Sequence, residues 1–173
     1  MSTSKITATE AKHISQKYID YLKLDPEPLF KPWLKSSLGK PLLVYSDALE
    51  PLNWMIPVMI KERVIGNVMV GIDGSLMGHT YYYKKIDELS KCPKQVTWIS
   101  SEDAVSAAEN ILKKYRDAQF SKPVYVFDTK RSKHVWMIEV LVKNVVTSRI
   151  FIEMGNVYER KKDEKPKPPG IRG

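Results

Sequence analysis

The chain has 173 residues, of which 43% are hydrophobic and 28% charged, and its formal net charge is +8. This composition fits one medium domain or two small ones, and it excludes a disordered chain. Its apolar runs are too short to cross a bilayer, and residues 1–13 lack the apolar segment of a secretory signal. Half of the net charge lies in residues 160–173, so basicity is only a weak indicator of nucleic-acid binding. The single cysteine, Cys92, excludes an internal disulfide and predicts a cytoplasmic location.

The first predicted element is a helix that begins after Thr7. Thr7 and Glu10 have the spacing of a capping box, in which each side chain satisfies a backbone N–H of the other. The apolar residues that follow recur at helical spacing; they are Ala11, Ile14, Tyr18, Tyr21 and Leu22. Asp25 precedes Pro26, which predicts the end of the helix, because a residue before proline is displaced from the helical region.

Residues 25–39 form an insertion that the second half of the chain lacks. The segment places Phe30 and Trp33 in a proline-rich frame and predicts a short helix. It could be a lid over a pocket or a plug over the first hydrophobic core, and the plug is the preferred interpretation.

Four strands are predicted after the insertion. They run from 41 to 46, 53 to 61, 64 to 72 and 75 to 83. The dipeptide Asp73-Gly74 is typical of a tight hairpin, and the short links between strands predict antiparallel pairing. Pro57 has no N–H for a strand ladder, which predicts a bulge or an edge position there.

The second half repeats this order. A helix is expected after Ser100, which has Asp103 three residues on, and four more strands follow, from 123 to 128, 134 to 143, 145 to 154 and 157 to 160. The predicted fold is therefore α+β, with two tandem repeats, each a helix on a three- or four-stranded antiparallel meander. The first repeat covers 1–88 and the second 89–160, and 161–173 is a basic, proline-rich tail expected to be disordered.

A nearly repeated strand sequence supports this duplication. "NWMIPVMIK" at 53–61 matches "VWMIEVLVK" at 135–143, an offset of 82 residues without a gap. "ITATEA" from Ile6 matches "ISSEDA" from Ile99 at an offset of 93, so the first copy has 11 extra residues in between.

Each of the two matching strands has two different faces. One face is β-branched or aromatic and is assigned to the core beneath the helix; it carries Trp54, Ile56, Val58 and Ile60 in the first copy and Trp136, Ile138, Val140 and Val142 in the second. The opposite face, here called the second face, carries an apolar stripe. Its members are Met55, Met59, Met69, Met137, Leu141 and Phe151. Such a stripe is too apolar for free solvent, so we expect it to be covered by the other copy, by a second chain or by an external partner.

These positions resemble a known motif: an Ile-led helix start rich in Glu and Ala, a Trp-x-Ile/Val-x-Val strand, and a Val/Ile strand that enters Asp-Gly followed by a hydrophobic residue. The second copy has Gly155-Asn156 in place of Asp-Gly. The first copy supplies Ile6, Glu10, Ala11, Trp54, Ile56, Val58, Val70, Ile72, Asp73, Gly74 and Leu76. The second supplies Ile99, Asp103, Ala104, Trp136, Ile138, Val140, Ile150, Ile152, Gly155 and Val157. The pattern is similar to the PepSY family, a helix-plus-meander module. The resemblance implies a non-catalytic module that binds or restrains peptidases.

No catalytic or metal-binding signature is found in the sequence. The segment "SLGKP" at 37–41 lacks the residues that a phosphate loop needs, and His13, His79 and His134 are far apart without other ligands at metal-binding spacing. We therefore expect no cofactor and a non-enzymatic module that binds a protein or peptide, or forms a homodimer, through strand edges or the second face. The predicted contact residues are the apolar stripe together with Phe30 and Trp33. The alternative is a nucleic-acid-binding protein that uses basic residues and exposed tyrosines, and an enzyme ranks last.

Overall fold

The structure is a computed structural model, and it describes residues 5–24 and 27–162. Its fold class is α+β, as predicted. The chain divides into two compact units between Trp98 and Ile99, and they are called unit 1 and unit 2. Residues 89–98, placed in the second repeat from the sequence, thus lie within unit 1.

Unit 1 combines one α-helix, two 3-10 helices and five strands in its described part. These are α1 (Ala8–Leu22), the insertion helix (Pro28–Lys35), β1 (Ser37–Leu38), β2 (Leu42–Ser46), β3 (Pro51–Ile60), β4 (Arg63–Gly71), β5 (Leu76–Tyr81) and a second 3-10 helix (Ile86–Lys91). The strands are antiparallel in the order β2-β3-β4-β5, and β1 pairs with β3. The predicted capping box is present, because the Thr7 side chain accepts from the Glu10 N–H and the Glu10 carboxylate accepts from the Thr7 N–H.

The core of unit 1 lies between α1 and one face of its sheet. Ile56 and Val58 are fully buried on that face, and Ala11 and Ile19 are buried on the helix. Trp54 and Ile60 pack against this cluster, which confirms the core face predicted for this strand. Full burial of such a side chain contributes about 1.5–3 kcal/mol, so this face accounts for much of the stability of the unit.

Unit 2 combines one α-helix and five strands in its described part. Its elements are α2 (Ser101–Leu112), β6 (Gln119–Phe120), β7 (Val124–Asp128), β8 (Lys133–Val142), β9 (Val145–Glu153) and β10 (Asn156–Lys161). The strands are antiparallel in the order β7-β8-β9-β10, and β6 pairs with β8. Ser100 and Asp103 form the second capping box. The core contains Ala104 and Ala108 from α2 over Ile138 and Val140 from β8, as predicted.

Several local features recur 82 residues apart. The indole N–H of Trp54 donates to the carbonyl of Ile6 at 3.2 Å, and that of Trp136 donates to the carbonyl of Ile99 at 3.1 Å. The ladder of β3 with β4 shifts register at Val58/Met59, and that of β8 with β9 shifts at Val140/Leu141. The residue numbers of strands β1 and β6 also differ by 82, so β1, which lies within 25–39, has a counterpart in unit 2.

Pro57 occupies a place where its missing donor costs little. Pro57 lies opposite Asn67 of β4, and in this pair the backbone nitrogen of Pro57 points away from β4. The predicted bulge follows directly, as a shift of register between Val58 and Met59. On its other side the neighbour is the two-residue strand β1, and the Gly39 N–H donates to the Pro57 carbonyl at 2.8 Å.

The last strand runs further than predicted. β10 continues to Lys161, and the Lys162 N–H donates to the Thr147 carbonyl at 2.9 Å. These two residues therefore belong to unit 2. The rest of the predicted tail, 163–173, lies outside the described residues.

Candidate functional site: an aromatic cluster beside an edge strand

Strand β5 forms one edge of the unit 1 sheet. It pairs with β4 alone among the strands that the structure describes. Three of its apolar side chains are substantially exposed: Leu76, Met77 and Tyr81. Met77 is an extra residue opposite the Met69/Val70 step, so the first part of the edge is bulged and only the part from Gly78 onward is regular.

In the regular part of β5, alternate backbone groups point away from β4. Tyr81 lies opposite Gly66, and the next residue, Tyr82, donates its N–H to the Ile65 carbonyl at 2.9 Å. In an antiparallel ladder this pattern directs the N–H and C=O groups of His79 and Tyr81 away from β4. They are thus positioned to bind another extended chain.

Five aromatic rings meet beside this edge, on the sheet face that packs against α1. They are Tyr18, Phe30, Trp33, His79 and Tyr81, and they are called the aromatic cluster. The Phe30 ring is in edge contact with His79 at 4.9 Å, Trp33 at 5.3 Å and Tyr81 at 6.3 Å between centroids. The Tyr18 hydroxyl lies 2.7 Å from Nδ1 of His79. Edge-to-face contacts at these distances are the favourable arrangement for aromatic rings.

The insertion helix reaches the cluster because Gly66 leaves room for Trp33. A Cβ atom at position 66 would lie 2.8 Å from Cζ2 of Trp33 and 2.3 Å from the Thr80 carbonyl oxygen. Trp33 is only 1% exposed, and the Tyr83 hydroxyl donates to the Leu29 carbonyl in the same helix. The insertion is therefore packed into the core of unit 1, as the plug interpretation predicts.

The electrostatic environment of the aromatic cluster favours neutral forms. Burial lowers the pKa of His79, and the nearby carboxylate of Glu27 opposes this shift only in part. Burial also raises the pKa of Tyr18, and it raises that of Tyr83 to about 12. At neutral pH these groups are uncharged, so the site suits an apolar side chain.

A different arrangement covers the second face of unit 2. The Tyr158 ring stacks on Phe151 at 5.3 Å, and the Arg160 guanidinium lies over Phe151 at 4.4 Å. Arg160 is ion-paired with the buried Asp128, which also accepts a 2.6 Å hydrogen bond from the Tyr158 hydroxyl. The Arg131 guanidinium lies 3.6 Å from the Tyr158 ring centroid. These residues of unit 2 cover part of its own apolar stripe.

The predicted contact residues fall into two environments. Met55 lies opposite Met69 in unit 1, and Met137 lies opposite Phe151 in unit 2. The buried members of the predicted set are Met55, Trp33, Met137 and Phe151, and the half-buried ones are Met59, Met69, Leu141 and Phe30. A partner could not reach the buried four in this structure. Phe30 alone combines partial exposure with a position next to the β5 edge.

Sequence reasoning did not identify His79, Tyr18 or the network around Asp128. The alternation in "HTYYYK" (79–84) does place His79, Tyr81 and Tyr83 on one face of a strand, which was the available signal. Contacts of β5 with α1 and with the insertion helix depend on tertiary packing and have no local signature.

Two other kinds of site are absent from the described part of the chain. Residues 5–24 and 27–162 contain no group of three or more His, Cys, Asp or Glu side chains that could hold a metal ion. No helix within these ranges is long and apolar enough to cross a membrane. In comparisons with protein-family models, with curated proteins and with solved structures, nothing matches this chain.

Proposed function

We propose that the protein is a non-enzymatic binding module that takes up an extended protein or peptide segment at the β5 edge. The observation that carries the proposal is the coincidence of two features at one place. The outward backbone groups of His79 and Tyr81 lie beside the partly exposed rings of Phe30 and Tyr81. Strand addition uses backbone hydrogen bonds for affinity and adjacent pockets for side-chain selection.

The surroundings of the edge indicate the chemistry of the partner. Exposed lysines flank the aromatic cluster in sequence, with Lys31 and Lys35 in the insertion helix and Lys84 and Lys85 after β5. Glu27 is the acidic residue that acts on this cluster. The complementary segment carries an apolar or aromatic side chain with aspartate or glutamate nearby.

A matched pair of substitutions tests this mode of binding. Tyr81→Ala removes the aromatic ring but keeps the backbone N–H that points away from β4. Tyr81→Pro removes both the ring and this N–H. The pairing of β5 with β4 keeps its hydrogen bonds, because the Tyr81 N–H takes no part in it. Peptides selected from a displayed random library against the full chain serve as probes. We expect Tyr81→Ala to weaken binding, and Tyr81→Pro to weaken it by about a further tenfold, because one backbone hydrogen bond contributes about 1 kcal/mol or more.

The location of binding is read from backbone amide resonances. Strand addition predicts shifts concentrated at 79–82, and affinity for acidic peptides that falls as salt rises. Equal binding by the wild-type chain and both variants, or shifts confined to unit 2, would reject the β5 edge as the site. If the chain forms a dimer in solution without peptide, and Tyr81→Pro is a monomer, the occupant of the β5 edge is instead a second copy of the chain.

The two-repeat architecture is part of the same proposal. It is supported by features that recur in both units. Trp54 and Trp136, with their indole hydrogen bonds, and the two register shifts are 82 residues apart, and the two capping boxes are 93 residues apart. The likeness to PepSY modules rests on the same residues and agrees with a binding role. On this view, the insertion helix is an addition to the first copy that equips its edge strand with Phe30.

Nucleic acid remains the alternative partner, and the same preparation tests it. A single-stranded DNA of about 20 nucleotides is the appropriate probe, since bases stack on exposed aromatic rings. Binding of this DNA at physiological salt, lost on Tyr81→Ala, would favour the alternative. The buried free thiol of Cys92 fits the reducing cytoplasm that we propose as the location.

A further inference from the structure

We propose that His79 is a pH-sensitive latch that holds the insertion helix against β5. The inference goes beyond peptide binding, and it rests on the proposed function only for its consequence at the β5 edge. His79 belongs to the edge strand itself, and its ring contacts Phe30 at 4.9 Å and Trp33 at 5.6 Å between centroids. One side chain thus joins the edge strand to both aromatic anchors of the insertion helix.

The groups that surround His79 are nearly all uncharged. Tyr18 of α1 contributes a hydroxyl at 2.7 Å from Nδ1, and β4 places the apolar Val68 opposite His79. Tyr81, two residues further along β5, adds a phenol that contacts Phe30. Glu27, before the first turn of the insertion helix, is the charged group that acts on the imidazole. A protonated imidazole would therefore carry its charge among aromatic rings, with little compensation.

Protonation also changes the hydrogen bond at Nδ1. In the neutral tautomer with its proton on Nε2, Nδ1 accepts from the Tyr18 hydroxyl. The imidazolium is a donor at both nitrogens, so the hydroxyl of Tyr18 must then become the acceptor. Burial lowers the pKa of His79 below that of a free histidine. Because the pKa of His79 is lower when the insertion helix is packed against β5, this packing is most stable above pH ~6.5, the pKa of a free histidine. The packing loses stability as pH falls from that value through the lower pKa of the packed state.

The test follows the insertion helix through Trp33. The four tryptophans are labelled with 5-fluorotryptophan, and the Trp33 resonance is the one that Trp33→Phe removes. The free chain, without peptide, is titrated from about pH 7.5 to about pH 4.5, which brackets the ordinary histidine pKa. We expect the Trp33 resonance to move or to split in the acidic half, while those of Trp54 and Trp136 stay in place and exclude global unfolding.

Two substitutions separate the latch from other titrations. His79→Phe retains a ring between Phe30 and Trp33 but cannot be protonated, so its Trp33 resonance should not respond to pH. His79→Gln serves the same purpose if the phenylalanine is poorly accommodated. His134→Phe is the matched control, because burial also lowers the pKa of His134, which lies in unit 2. It should leave the Trp33 titration unchanged.

The outcomes are distinct from those of peptide binding. A Trp33 resonance that stays constant through the titration, or that responds equally in His79→Phe, overturns the latch whatever the peptides do. A titrating Trp33 with no peptide bound at pH 7.5 upholds the latch and rejects the β5 binding site. If the pH-sensitive contact of His79 and the peptide site at the β5 edge are both correct, peptide affinity should fall severalfold on acidification in the wild-type chain but not in His79→Phe.

Discussion

Pro57 and Glu139 occupy corresponding places in β3 and β8, and each faces a residue that suits its backbone. The Gly39 N–H donates to the Pro57 carbonyl, and the Ser121 N–H donates to the Glu139 carbonyl at 3.0 Å. Glu139 also has an N–H, which donates to Oγ of Ser121 at 2.9 Å. Pro57 has none, and a Cβ at position 39 would lie 3.1 Å from Cβ of Pro57. The glycine makes room for the proline ring, while the serine serves an N–H that proline lacks.

This correspondence predicts a compensating pair of substitutions. Gly39→Ser alone should destabilise unit 1 by about 1–3 kcal/mol, because the new Cβ crowds the proline ring. Pro57→Ala alone should cost about 1–2 kcal/mol, because it creates a buried N–H without an acceptor. In the double variant the serine can accept from that N–H, so the combined loss should be smaller than the sum by about 1 kcal/mol or more.

The measurement is the free energy of unfolding in urea for the wild type, both single variants and the double variant. Ser121→Gly in unit 2 is the control, since it removes the acceptor from Glu139 and should cost about 1 kcal/mol. Strict additivity of the two single losses would show that the residues at 39 and 57 do not exchange roles as Ser121 and Glu139 suggest.

At the scale of elements, Asp128 fixes β10 onto unit 2. It ends β7, its side chain is fully buried, and it joins Tyr158 and Arg160 of β10 across the second face. Burial by itself would raise the pKa of Asp128, but hydrogen bonds from Arg160 and Tyr158 and the charge of Arg160 lower it. Burial, together with the hydrogen bond that Tyr158 donates to Asp128, raises the pKa of Tyr158. The carboxylate is therefore held in its charged form.

Asp128→Asn should destabilise unit 2 by about 2–4 kcal/mol near neutral pH, because Arg160 is left without its counter-ion in a largely buried position. A depressed carboxylate pKa contributes stability above the unfolded value of about 3.9, and this contribution is lost as pH falls through the folded value. The difference in free energy of unfolding between the wild type and Asp128→Asn should be constant from about pH 8 to about pH 5 and decrease below about pH 4. Urea unfolding followed by near-UV circular dichroism, repeated at each pH, measures the loss of stability and its pH dependence.

Glu153→Gln is the matched control for that experiment. It breaks the 2.6 Å ion pair with Lys133, whose side chain is about half exposed, and should cost at most about 1 kcal/mol. A loss for Asp128→Asn no larger than that of the control would mean that β10 is held by its ladder with β9 alone.

Periodicity predicted the elements of this fold well, and tertiary contacts explain what it missed. The eight longer strands lie within two or three residues of their predicted bounds, because alternation and turn residues are local signals. The two-residue strands β1 and β6 are too short to leave a pattern. The Asp128 network joins residues about thirty positions apart, and a turn-forming aspartate after a strand is ordinary in sequence. The second face was correctly read as apolar, but its partial cover by β10 was not foreseen.

At the scale of the whole molecule, residues 89–98 are part of the packed structure of unit 1 and do not form a mere linker. Cys92 is 1% exposed and belongs to the core cluster of this unit. The Val64 N–H donates to the Pro93 carbonyl at 2.8 Å, and the Arg63 guanidinium donates to the Cys92 carbonyl at 2.9 Å. Val96 is also buried. The segment thus completes the edge of the core near the start of β4.

A comparison of two shortened chains tests this assignment. A chain of residues 1–98 keeps these contacts, whereas a chain of residues 1–88, which ends where the sequence placed the first repeat, loses them. We expect the longer chain to be more stable by about 2–4 kcal/mol, because the shorter one exposes buried apolar surface and leaves the Val64 N–H and the Arg63 side chain without their acceptors. Urea unfolding followed by tryptophan fluorescence gives the difference. Cys92→Ala in the full chain is the companion measurement, and it should cost about 1–2 kcal/mol, since it removes one buried sulfur atom from a packed core. Equal stability of the two shortened chains, with a neutral Cys92→Ala, would return the segment to the role of a linker.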